Sequence, residues 1–206
     1  MSNELDIPAD PPDFLTTATT VPMRRQIVAD LVVPSRRIIA CDPGSFQFEE
    51  NQRPFHRTVP PGTYPTTTGL VQSGRFEIPA YFMVEFTREP EVSWMLATRC
   101  STGPVAAKSA DHFVDSGCSC FMDAEAALQT AAAGWEERIY RGRLLGVMLK
   151  RLPPRPWAEI VLDSGTGANL VACTSGYGDG SYTSYWGFDA QGAVACLVTD
   201  FGVTGP

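Results

Sequence analysis

Apolar positions along this chain recur mostly with a period of two. Ala80–Thr87 sets Tyr81, Met83 and Glu85 against Phe82, Val84 and Phe86, the pattern of a strand with two distinct faces. Val92–Thr98 repeats it, with Trp94 and Leu96 on one side. Between them, Arg88-Glu89-Pro90-Glu91 has the length of a hairpin connection. Arg37–Cys41 is apolar and β-branched and stops at Asp42-Pro43-Gly44, a strand running into a turn. Phe46–Pro61 reads as loop. Tyr64–Gln72, with threonines at 66, 67 and 68, suits a strand closed by Ser73-Gly74. Further on, Glu159–Leu162, Leu170–Thr174, Ser181–Trp186 and Ala193–Thr199 are strand candidates. Asp189-Ala190-Gln191-Gly192 supplies the last turn.

Helical spacing is rarer. Met23–Val33 carries Ile27, Val28, Leu31 and Val32 and stops before Pro34, which predicts a short helix. The best helix is central: Asp123 is a natural N-cap, Glu125 lies in the first turn, and Leu128, Ala131, Ala132 and Trp135 follow at helical intervals. Gly134 is a point where that helix can break. Leu144–Leu149 fits helix or strand, and the prolines at 153, 154 and 156 end it. Residues 1–22, with prolines at 8, 11 and 12, read as a flexible N-terminal arm. No linker or repeat divides the rest, so 23–206 is expected to be a single globular domain. The fold class is α+β: a predominantly antiparallel β-sheet or sandwich with one central helix packed on it.

Composition narrows the function classes. The 206 residues are 44% hydrophobic and 19% charged, too apolar for a disordered chain. No stretch reaches the ~18–20 apolar residues of a membrane-spanning helix, and none at the N-terminus resembles a signal peptide. A cytoplasmic location with reduced thiols is expected, and no membrane association. The net charge of −7 argues against nucleic acid. That charge is unevenly spread. Glu4, Asp6, Asp10 and Asp13 occupy the N-terminus without a base. Arg138, Arg141, Arg143, Lys150, Arg151 and Arg155 follow one another without an acid. Residues 156–206 are again acidic. The basic run either is a solvated face paired internally or meets an anionic ligand through residues such as Arg141 and Arg143.

Six scattered cysteines and two histidines lack zinc-site spacing, and no metal or other cofactor is expected. Cys173 and Cys196 read as small core hydrophobes. Two segments concentrate glycine, aspartate and aromatic residues: Val114–Asp123 and Ser175–Gly187. In the second, Tyr177, Tyr182, Tyr185 and Trp186 either offer stacking faces to a ligand or plug the core. Asp115, Asp123 and Asp179 are the candidate catalytic carboxylates, able to act as acid, base or hard-cation ligands if the fold gathers them. Asp123 as a cap and Asp179 as a turn residue also have purely structural explanations. Cys118 or Cys120, just before a helix N-terminus and near His112, is a candidate thiol nucleophile. Gly165-Thr166-Gly167 completes no phosphate-binding fingerprint, and neither Gly-x-Ser-x-Gly nor His-Glu-x-x-His occurs.

The combination of Arg37–Pro43, Pro61-Gly62-Thr63-Tyr64-Pro65, Cys120-Phe121-Met122-Asp123, Gly178-Asp179-Gly180 through Trp186-Gly187, and Val198-Thr199-Asp200-Phe201-Gly202 resembles the bacterial "domain of unknown function 4241" family. The likeness spans about residues 36–203. The chain departs from the family pattern at Ser119, where glycine is expected, at Tyr177, where tryptophan is expected, and at Thr183, where proline is expected. The resemblance implies a folded bacterial domain and carries no activity or catalytic residues. Two functions follow as expectations. One is a non-catalytic interaction or accessory module, immunity- or regulator-like, with a protein partner or small-molecule ligand. The alternative is an enzyme acting on a small molecule or peptide, with a carboxylate site between segments 115–123 and 178–187.

Overall fold

The computed structural model describes residues 7–17, 21–100, 110–149 and 156–204 and places them in two antiparallel sheets flanked by helices. In chain order the strands are β1 (Pro8–Ala9), β2 (Met23–Val33), β3 (Ile38–Cys41), β4 (Gly62–Ser73), β5 (Phe76–Glu85) and β6 (Ser93–Leu96). They continue with β7 (Asp111–Val114), β8 (Cys118–Asp123), β9 (Trp157–Val161), β10 (Asn169–Thr174), β11 (Gly180–Phe188) and β12 (Val194–Asp200). The large sheet runs β1-β6-β11-β12-β5-β4-β2, with β7 also paired to β11; the small sheet runs β3-β8-β10-β9. The class is α+β, mostly β, as the alternation predicts.

Three helical pieces cover the small sheet: α2 (Ala124–Ala132), a π-helix (Glu136–Leu144) and α3 (Leu145–Leu149). Gly134, at φ +99°, separates the first two. Layering follows from side-chain parity. On β3 and β8, Ile38, Ala40 and Phe121 point toward the large sheet and meet Phe82, Val84, Trp186 and Leu197. Their neighbours Ile39, Cys41, Cys120 and Met122 point the other way, onto Trp135, Ile139, Leu144 and Met148. The small sheet is therefore a middle layer buried on both faces.

Two local expectations need correction. Met23–Val33 is strand β2, not a helix. Its register against β4 shifts between Ile27 and Asp30, and the bulge there mimics a helical spacing of apolar residues. Thr66 satisfies the bulged backbone, donating to the Ala29 carbonyl at 2.7 Å and accepting the Ala29 N–H at 3.3 Å. Second, β5 and β6 do not form a hairpin: β12 and β11 lie between them. Much of Val114–Asp123 is strand β8, every residue of which is buried.

The segment expected to be a flexible arm is docked where it is described. Pro8–Ala9 pairs with β6, and Phe14, in the short helix α1 (Asp13–Thr17), stacks on Tyr81 at 4.2 Å. Residues 1–6 and 18–20 lie outside the described residues, as do Lys150, Arg151 and Arg155 of the basic run. No described helix is long and apolar enough to cross a membrane.

Candidate functional site

Strand β3 ends where Asp42 begins a 3-10 turn at Pro43–Ser45. The Asp42 carboxylate is fully buried and accepts four hydrogen bonds. Oδ1 takes the Gly44 N–H at 2.6 Å and the Ser116 hydroxyl at 2.5 Å. Oδ2 takes the N–H groups of Asp115 and Ser116, each at 2.8 Å. One side chain thus ties the 43–45 turn to the β7–β8 connection. Trp135 braces the same turn, its indole donating to the Pro43 carbonyl at 2.8 Å and its ring against Phe46 at 4.3 Å. Asn51, in a second 3-10 turn (Glu49–Gln52), donates to the Ser45 carbonyl at 2.9 Å.

These turns form one wall of a cleft of about 400 Å³; β7 and the residues following β6 form the other. Its floor holds two buried polar side chains. Arg99 is 6% exposed, donates through Nη2 to the Ala40 carbonyl at 2.5 Å, and lies over the Phe55 ring at 5.6 Å. His112 is 3% exposed, and its Nε2 lies 2.8 Å from the Ser119 hydroxyl. The Arg99 Nε and His112 Nδ1 have no hydrogen-bond partner among the described residues, nor does the buried Nε of neighbouring Arg53. Burial, reinforced by the Arg99 cation, holds His112 well below its ordinary value, so the imidazole is neutral at pH 7. Burial also lowers the pKa of Arg99, although guanidinium is basic enough to remain charged. At the rim, Phe48 and Phe113 are 53% and 61% exposed, and Glu50 and Asp115 are exposed acids.

The expected site residues divide. Val114 pairs with Gly180, the last pair of that register, so Asp115 follows the end of β7 and Asp179 precedes the start of β11; both are exposed. The two loops also meet through the Ser175 N–H, which donates to the Gly117 carbonyl at 3.0 Å. Asp123 is not with them. It sits at the far end of β8, about 17 Å along the strand from Cys118, where it is buried. There it caps α2 by accepting the Ala126 N–H at 3.0 Å and also holds the Ser35 N–H at 2.9 Å. Among the described residues no group of three or more His, Cys, Asp or Glu is placed to hold a metal ion.

Of the aromatic candidates, Trp186 is 2% exposed inside the core and presents no face to solvent. Tyr182 is also buried, its hydroxyl donating to the carbonyls of Ser175 and Gly178. Tyr185 is half-buried, and Tyr177 alone is freely exposed. Arg141 pairs with Glu136 at 2.7 Å, and Arg143 donates to the Val161 carbonyl at 2.8 Å. Neither lines the cleft.

Burial speaks against the thiol nucleophile. Cys118 is pushed up to about 12 and Cys120 well above its ordinary value, chiefly by desolvation, which disfavours a thiolate at either. His112 meets Ser119, not a cysteine.

A family model described as "Protein of unknown function (DUF4241)" matches residues 31–199. The chain belongs to the DUF4241 family. The matched DUF4241 span includes Asp42, both 3-10 turns and every residue that lines the cleft. No curated protein and no solved structure matches the chain in the comparisons made. Ser119 supplies the hydroxyl that engages His112. Arg99, Arg53, Phe48 and Phe113 were not legible as site residues. Nothing in their local spacing sets them apart.

Proposed function

We propose that this protein is a non-catalytic binding module whose working end is the cleft between the 3-10 turns and β7. The observation that carries this reading is that two buried polar side chains, Arg99 and His112, line this cleft, each keeping a nitrogen with no hydrogen-bond partner among the described residues. Unsatisfied buried polar groups cost on the order of 1–3 kcal/mol each, so two beside one cleft mark a place where stability is given up. The volume lies within the usual ~300–1,000 Å³ of small-molecule sites. Binding is favoured over covalent chemistry because the Cys118 and Cys120 thiols are buried, which disfavours a thiolate, and the Ser119 hydroxyl beside His112 is fully buried.

The test is retention. The full chain is incubated with a deproteinised small-molecule extract, passed through gel filtration, denatured, and its retained compounds identified by mass spectrometry. A compound held near stoichiometrically by the native protein and lost from Arg99→Met supports the reading. Retention of nothing overturns it. Consumption of a compound with release of a product overturns it in favour of an enzyme, and Asp115 and Asp179 would then be the carboxylates to substitute first.

A further inference from the structure

The basic stretch that follows α2 folds in an uncommon way. Its π-helix, Glu136–Leu144, is nine residues long, whereas such geometry is mostly confined to single turns and recurs at functional sites. Its hydrogen bonds reach five residues back, as from the Leu145 N–H to the Tyr140 carbonyl. Gly142 permits this, since a Cβ there would collide with the Glu137 carbonyl. In an α-helix five residues carry a side chain about 140° around the axis. Here residues five apart come to one side, one turn above the other, and the Arg141–Glu136 ion pair at 2.7 Å has that spacing. Arg138 and Arg143 have it too, and both line a groove of about 320 Å³ bounded by the π-helix, α2 and the residues that follow β9. The groove shares no lining residue with the cleft.

Both arginines are exposed, and each is tethered to a neutral backbone carbonyl, Arg138 to Ala133 at 3.4 Å and Arg143 to Val161 at 2.8 Å. A guanidinium carries five donors, so most remain available. Among the described residues no carboxylate lies within ion-pair distance of either. The one acid in the lining, Asp163, is engaged by its own turn. It accepts the Thr166 hydroxyl at 2.6 Å and the Gly165 N–H at 2.8 Å, which hold it below the ordinary carboxylate value. Gln129 adds a polar amide to the lining, and Ala126, Ile139 and Leu162 add apolar surface. We propose that this groove binds a small phosphate monoester, its phosphoryl oxygens shared between Arg138 and Arg143 and its organic body against Ala126, Ile139 and Leu162. A single carboxylate is answered by one guanidinium fork. Two guanidiniums a turn apart suit the three acceptor oxygens and nearly double charge of a phosphoryl group. Two arginines against Asp163 leave the lining only singly positive, which favours a monoester over a polyphosphate.

The experiment is calorimetric titration of the full chain with four probes: phenyl phosphate, inorganic phosphate, benzoate and pyrophosphate. Phenyl phosphate is expected to bind, inorganic phosphate to bind several-fold more weakly, and benzoate at least tenfold more weakly. Arg138→Gln and Arg143→Gln are surface substitutions, and each should weaken phenyl phosphate at least tenfold. Arg141→Gln removes the same charge from the same helix but outside the groove, and should leave the affinity within twofold. Failure of phenyl phosphate to bind overturns the site. So does a loss from Arg141→Gln as large as those from the other two, which would mean attraction by the helix charge in general. Full binding by either Arg138→Gln or Arg143→Gln overturns the shared grip. Benzoate binding as tightly as phenyl phosphate overturns the phosphoryl assignment, and tighter binding of pyrophosphate overturns the monoester.

Discussion

Asp42 offers the sharpest test of how the cleft wall is held. Its carboxylate is fully buried and accepts four hydrogen bonds from Gly44, Asp115 and Ser116. Hydrogen bonds to a charged group contribute about 1.5–3 kcal/mol each, but neighbouring bonds are not additive. In Asp42→Ala the Ser116 hydroxyl can rotate to another acceptor. Gly44 and Ser116 are only half-buried, so water can reach part of the vacated space. Two donors left poorly served give an expected loss of about 3–5 kcal/mol. Asp42→Asn keeps one accepting oxygen and turns an NH₂ toward the other donors, so its loss is smaller, about 2–3 kcal/mol. Urea unfolding with linear extrapolation measures both. Near-UV circular dichroism should change as well, since Trp135 bonds to the adjacent Pro43. A loss below about 1 kcal/mol for Asp42→Ala, or an Asp42→Asn variant as stable as the native chain, would refute the claim that this carboxylate joins the two walls.

Two further predictions concern the interior. His112 is held neutral with a lowered pKa, so between that value and 6.5 the unfolded chain binds more protons than the folded one. Its contribution is fully present above pH 6.5 and is lost as pH falls toward the lowered value, at up to about 1.4 kcal/mol per pH unit. In His112→Gln that part of the acid sensitivity should vanish, and parallel stability profiles for the two proteins from pH 7 to pH 5 would sink the argument. A Cβ at Gly69 would overlap the Met23 sulfur and the Tyr81 ring, so Gly69→Ala should cost about 1–3 kcal/mol of unfolding free energy. The double variant with Met23→Ala should recover part of it; an unchanged urea midpoint for the single variant would contradict the packing described.

What could be read from the residues was local. The alternation in Ala80–Thr87 and the Asp189–Gly192 turn translate directly into β5 and the β11–β12 hairpin, where Asp189 accepts the Gln191 and Ala193 N–H groups. Asp123 is the N-cap its position suggests. The failures share a cause. Strand β8 is covered on both faces, so its polar Ser119 sits among apolar neighbours with no alternation to reveal a strand. Strand β2 is disguised by its bulge. Arg99 looks like a lone charge after a strand, because what surrounds it comes from Ala40, Phe55 and His112, three separate stretches of chain. The cleft is a product of long-range topology, and no short motif records it.

That topology also sets an order of events. Strands β11 and β12 come last in the chain yet fill the middle of the large sheet, between β6 and β5. Until residues 180–200 are in place, β5 and β6 each present an unpaired edge, and the Leu197 and Trp186 side chains that face the small sheet are missing. Closing such distant pairings is entropically slow, and open edges invite association with other chains. By that argument the edges of β5 and β6 stay open to association until the β11–β12 hairpin docks between them. Docking of that hairpin, not formation of the central helix, closes the large sheet.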